Sequence, residues 1–350
     1  MGRPFVVFCL AILFVCSSCK KDTTTLNLPS TAGVFICNEG PFNFGSGEIS
    51  FYNPMNQEIS NNLFQAANQY ALGDVAQSLF IRDSLGFIVV NNSQKIEVVN
   101  IASMKKIRTI LIPGSSPRYF YALNDSIAYV SELYKSKIYV LNYQSGVVIK
   151  EIDQVSRWTE HLMKYGNDIL VEERNLDAFP SSQAGFVRIN SNSHAVVQHY
   201  SFDGSNIQGM AKDKDNRLWL LMDGDTAHSI NSSLVCLNED FSVHRMISFP
   251  LNHHPALLRI NATGDTLLYL DSDIYRFSIS DNQLSATPFI SRNGHNIYAL
   301  DIDSKSGDIY FSDALDFVQA SRVYRYDKSG QLIHSFTAGI IAGNFTFKNE

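Results

Sequence analysis

The sequence predicts an all-β chain: a seven-bladed β-propeller with four antiparallel strands per blade, closed by the C-terminal strand joining the first blade. Three observations carry that expectation. Pairs of short apolar strands return at a period of about 40 to 50 residues, which marks a solenoid or a propeller. Each pair is followed by a polar knot and two further alternating strands, which makes four strands per unit. The two ends of the chain each hold an incomplete unit, and the two pieces complement each other.

The N-terminus is read first, because it is not fold. Arg3 is the only charge ahead of "FVVFCLAILFVC", an apolar run of leader length that is too short to span a bilayer. Residues 1–18 are therefore expected to be a signal peptide. The run ends at Cys16-Ser17-Ser18-Cys19, which resembles a bacterial lipoprotein box with Cys19 as the acylated residue. An ordinary secreted protein cut near Ser18 is the other reading. Residues 19–32 are polar and without pattern, as a flexible tether would be. Membrane attachment is then expected through the lipid alone.

Residues 33–350 are expected to be the propeller. "GVFICNEG" and "GEISFYNP" look like a second and a third strand with no first strand before them. Residues 60–75 carry Leu63, Ala66, Ala67 and Tyr70 at helical spacing, so a short helix could replace that blade's outer strand. Six complete units follow, led by Gln77, Arg118, Glu160, Gln208, Ala256 and Tyr298, at spacings of 41, 42, 48, 48 and 42. Their third strands are "KIEVVNI", "KIYVLNY", "GFVRINS", "SLVCLNE", "DIYRFSI" and "RVYRYDK"; a fourth follows each, "LSATPFI" among them. The C-terminal "GNFTFKNE" is left without a unit of its own. As the innermost strand of the first blade it would close the ring and remove an exposed edge.

Composition narrows the partners. Without residues 1–18 the formal charge is −7 on 332 residues, with no basic stripe, so nucleic acid is not an expected partner. Cys37 and Cys236 are the only cysteines after Cys19, and both are placed in strands of non-adjacent blades. Neither a disulfide nor a cysteine nucleophile is expected.

Three stretches, "VFICNEGPFNFGSGEISFYNP", "LGDVAQS" and "GFIVVNNSQKIEVVN", resemble the YncE-like propeller lipoproteins of Bacteroidetes-type bacteria, over nearly the whole of residues 33–350. Within that group are the BtuG-type lipoproteins, which bind cobalamin at the cell surface and pass it to a TonB-dependent outer-membrane receptor. The resemblance implies a lipid-anchored outer-membrane protein facing the cell exterior, a small-molecule nutrient as ligand, cobalamin being the first choice, and such a receptor as partner.

In a propeller the interblade turns and the loops between second and third strands share one face. The turns place Gln77, Arg118, Trp158, Glu160, Gln208, His254, His295 and Tyr298 there. The loops add Phe42, Asn43, Phe44, Asn91, Asn92, Tyr134 and Phe179. Aromatic platforms among amides suit a large amphipathic ligand. Each of these residues also has an ordinary use, since turn amides satisfy backbone groups and rim aromatics cover strand ends. A metal is not expected, because Glu160 is the only carboxylate among the leading positions and Arg118 starts a neighbouring blade. His253 and His254 are adjacent and would face opposite ways on a strand. No nucleophile elbow, zinc helix or phosphate loop occurs, so the protein is not expected to be an enzyme and no cofactor is expected. A hydrolase or lyase propeller, or an adaptor that binds protein only, are the alternatives.

Overall fold

The computed structural model describes residues 2, 32–156, 158–174, 183–204 and 206–349. The leader, Cys19 and Phe179 lie outside the described residues. Seven antiparallel sheets form the blades of a ring. Blade 2 shows the repeating unit, with inner strand Ala76–Arg82, second strand Leu85–Val90, third strand Lys95–Asn100 and outer strand Lys106–Leu111. Blades 3, 4, 5 and 7 repeat it over residues 117–152, 158–203, 206–248 and 297–340.

Burial explains the sequence pattern. Second strands such as Leu218–Asp223, "LWLLMD", are covered by blades on both faces and read as continuous apolar runs. Outer strands such as Val147–Ile152 are largely exposed and admit polar residues, here Lys150 and Glu151. Seven apolar clusters result, each shared by two neighbouring blades. Trp219 of blade 5, for example, packs with Tyr269 and Phe277 of blade 6. Cys37 and Cys236 are buried thiols in blades 1 and 5. Burial pushes the Cys236 thiol up to about 11, so it stays protonated and inert at neutral pH.

Blade 1 is built from both chain ends. The C-terminal strand Ala342–Lys348 pairs with Gly33–Asn38 in a register that sets Ile36 against Phe345, and Glu48–Asn53 and Glu58–Ser60 complete the sheet. Ser312 Oγ of blade 7 donates to the Ala342 carbonyl at 2.6 Å and ties the seam. The helix Leu63–Asn68 is present, but in addition to the three-residue outer strand rather than in its place. Its Leu63 and Phe64 are fully buried against blade 2.

Blade 6 departs from expectation. Among the described residues it has three strands, Ala256–Ile260, Thr266–Leu270 and Ile274–Ser278, and "LSATPFI" adds only a bridge between Ile274 and Ile290. Pro288 has no N–H to give a ladder, and Ser285 Oγ turns back to the Thr287 carbonyl at 3.0 Å. The local turn wins over the strand.

Candidate functional site

Every inner strand has a register break against its second-strand partner near its start. The breaks lie between Ala76 and Ser78, Pro117 and Phe120, Thr159 and Leu162, Ile207 and Met210, Ala256 and Arg259, and Ile297 and Ala299. Such bulges leave one or two residues unpaired and re-aim their side chains. The unpaired residues include Gln77, Arg118, Glu160, Gln208 and Tyr298, which are the leading positions of the repeat. In blade 6 the unpaired pair is Leu257 and Leu258, so Ala256 is one residue early. The repeat in the sequence is thus partly a repeat of bulges.

Three of these residues, with the paired Trp158, meet in one layer at the end of the axis where inner strands begin. Arg118 donates from Nε to Glu160 Oε1 at 2.9 Å, its Nη2 stands 2.8 Å from the same oxygen, and its Nη1 donates to the side-chain Oε1 of Gln77. Trp158 donates its indole N–H to Glu160, and the Arg174 guanidinium lies over the Trp158 ring at 5.5 Å. Burial alone would raise the Glu160 pKa, but the Arg118 and Arg174 charges outweigh it and hold the carboxyl below its ordinary value. Beside this pair, Glu39 accepts from the Tyr298 hydroxyl at 3.2 Å. Burial pushes the Glu39 carboxyl up to about 7, against the opposing pull of Arg118 and the Tyr298 hydrogen bond. Gln208 is half-buried and makes none of these bonds.

The other sequence-derived residues fall into two groups. Phe42, Phe44 and Tyr134 are 58, 79 and 56% exposed on loops of blades 1 and 3, and Tyr298 sits edge-on to Phe317, another exposed loop ring, at 5.6 Å. The loops that carry Phe42, Phe44, Tyr134 and Phe317 join second to third strands, so these rings make an exposed apolar crown at the end of the blades where the inner strands begin. Asn43 and Asn92 are joined side chain to side chain at 3.0 Å, and Asp74 accepts from the Asn43 backbone at 2.9 Å. In contrast, Asn91 is buried and donates to the Pro117 carbonyl at 2.8 Å, an internal tie between blades 2 and 3. Trp158 and Arg118 belong to inner strands, Trp158–Tyr165 and Pro117–Ala122, rather than to turns, and are partly withdrawn into the layer. His254 and His295 each hold a carboxylate through Nδ1, of Asp223 and Asp313, both at 2.8 Å. Asp313 also accepts from the Asn296 backbone at 2.9 Å, and Glu132 and Glu173 receive the N–H of Ser116 and Ser156 in the same way. These carboxylates end second strands and fasten the loop entering the blade.

Sequence reasoning missed the rest of the axis. Beyond the charged layer, the inner strands of all seven blades enclose a well of about 690 Å³ that continues toward the ends of those strands. Phe80, Tyr119, Tyr121, Phe345 and Phe347 line it from blades 1 to 3. His161 and Glu172 line it from blade 4, with Nδ1 and Oε2 at 3.1 Å, and the His161 ring lies 4.0 Å from that of Tyr119. Arg259 and Asp301 add an ion pair at 3.4 Å from blades 6 and 7. The available signal was the aromatic density of "PRYFYA" and "NFTFK". Among the described residues no three metal-ligating side chains cluster.

The sequence profile of a domain of unknown function, DUF5074, matches residues 32–344, and the chain belongs to that family. No curated protein matches it in sequence. Among solved structures, a quinonprotein alcohol dehydrogenase-like protein from Bacteroides thetaiotaomicron superposes with a TM-score of 0.67 at 14% identity, over 91% of this chain and 78% of that one. A protein from Lactobacillus plantarum gives 0.65 at 11% identity, over 91% and 99% of the two chains. The virginiamycin B lyase of Staphylococcus aureus gives 0.55 at 15%, over 74% and 82%. At such identities the likeness shows the propeller fold alone.

Proposed function

We propose that this DUF5074 propeller is an exported, lipid-anchored capture protein of the outer membrane. It takes up an amphipathic nutrient, cobalamin by the resemblance of its sequence, and passes it to a TonB-dependent receptor. The observation that supports this is the loop end of the blades, where exposed rings of Phe42, Phe44, Tyr134 and Tyr298 share an end with the already paired Arg118 and Glu160. A large ligand laid there gains apolar contact without stripping water from a lone charge. Asn43, Asn92 and His254 at the rim supply the orienting hydrogen bonds. Glu160 is committed to Arg118, so the alternative reading as a hydrolase or lyase would rest on Glu39, the carboxyl of this layer that burial raises to about 7.

The test uses the full chain in detergent, mixed with cyanocobalamin and passed over a desalting column. The red chromophore should travel with the protein. Phe44→Ala combined with Tyr134→Ala should weaken binding by about thirtyfold, near 2 kcal/mol, while the melting temperature stays within roughly one or two degrees. A colourless protein fraction overturns cobalamin as ligand. Unchanged affinity in the double variant overturns the crown as its site.

A further inference from the structure

We infer that the axial well is a second binding site, separate from the crown, for a planar nitrogen heterocycle of one to three rings that carries N–H donors. The inference rests on the well's lining and does not depend on the capture reading. A volume of about 690 Å³ falls within the range of small-molecule sites. Its aromatic wall comes from three blades, with Phe80, Tyr119, Tyr121 and Phe347 among the rings. Flat rings are the natural counterpart, since offset and edge contacts between π systems add to the burial of area.

The polar side of the well selects the ligand's hydrogen-bonding sense. Glu172 is 1% exposed, and its Oε1 has no hydrogen-bond partner in the protein. A buried carboxylate oxygen without a donor carries an unrelieved desolvation penalty, which a ligand N–H would remove. The other oxygen is engaged: His161 Nδ1 lies 3.1 Å away and Arg174 Nη2 3.8 Å away. His161 Nδ1 faces that carboxylate, which leaves its second ring nitrogen as a further polar atom on the wall. The unanswered carboxylate oxygen calls for a donor-bearing ligand.

The well's cations do not reverse that preference. Arg259 is held by Asp301 at 3.4 Å and by the Leu258 carbonyl at 2.8 Å. Lys212 reaches Asn216 at 3.4 Å and stands over the Tyr165 ring. Neither presents the bidentate, buried fork that would favour a carboxylate or phosphate. The Arg118 layer separates the well from the crown, and Tyr119 and His161 directly follow Arg118 and Glu160 in the chain.

The probe is proflavine, a planar three-ring diamine, titrated calorimetrically into the full-length protein in detergent against a micelle blank. Saturable binding at one site is expected, with Tyr121→Ala and Glu172→Gln each weakening it by at least about tenfold. The anion 2-naphthoate should not compete. The crown variant carrying Phe44→Ala and Tyr134→Ala should bind proflavine as the parent does, whether or not either protein retains cyanocobalamin. Absence of binding up to about 1 mM, affinity unchanged from the parent in either well variant, or displacement by 2-naphthoate overturns the site.

Discussion

The two ends of the propeller axis are made from the same seven inner strands and differ in how their polar groups are answered. Where the strands begin, a guanidinium, a carboxylate, an amide and an indole close one hydrogen-bonded layer, with Glu160 at its centre. Further along, the same strands line an open well in which a buried carboxylate oxygen is left unanswered. A saturated polar cluster rigidifies and seals, whereas a partly saturated one asks for a further partner. The bulges make the difference, because they decide which side chain of each inner strand turns to the axis first.

The C-terminal strand serves both ends, so its loss is the most severe way to break the comparison. It seats Phe345 and Phe347 in the well and pairs with Gly33–Asn38 along its length. Deleting residues 343–350 should strip that ladder and open the seam between blades 7 and 1. A fall in melting temperature of more than about 10 °C is expected, where a frayed tail would cost almost nothing. Differential scanning calorimetry decides it. A truncated protein that melts within a degree or two of the parent would refute closure by this strand.

That strand was readable in the sequence because "GNFTFKNE" had strand chemistry and no unit to belong to, while residues 33–54 had lost their first strand. The blade period and the third-strand alternation were readable for the same reason: burial between blades imposes them on composition. Blade 6 was misread because "LSATPFI" has strand-like residues, and one proline outweighs them. The site was legible only in part. Phe42, Phe44 and Tyr134 could be named from loop position, since exposure follows from being in a loop. Arg118 and Glu160 could be placed as opposite charges on neighbouring blades, but their hydrogen bonds and the His161 to Glu172 pair could not be read, because a bulge of one or two residues changes which neighbours face the axis. Periodicity places strands; it does not register them.

A smaller perturbation contrasts the two ends directly. Glu160→Ala leaves the Arg118 guanidinium without its carboxylate in a site where its side chain is only 19% exposed. Breaking a buried pair in this way costs about 3–5 kcal/mol. Glu172→Ala removes a carboxylate of which one oxygen is already unpartnered, so its loss should cost clearly less. Urea unfolding of the two variants gives both numbers. Equal losses would mean that the open end is as tightly bound into the fold as the closed one.

The smallest expected effect depends on pH and belongs to the closed end alone. Burial raises the Glu39 carboxyl from 4.5 to about 7 in the folded protein, so the folded state holds that proton more tightly than the unfolded chain does. Its favourable contribution is complete below about pH 4.5 and is lost as pH rises toward 7 and beyond, where a buried carboxylate must be kept charged. Glu39→Gln keeps an oxygen to receive the Tyr298 hydroxyl and removes the titration. The variant should melt with the parent at pH 4.5 and above it at pH 8, by roughly two or three degrees. Melting curves at the two pH values check the sign. A variant equally stabilised at both would place the cause in packing rather than in charge, and the closed layer would then tolerate an ionised Glu39 beside Arg118 without penalty.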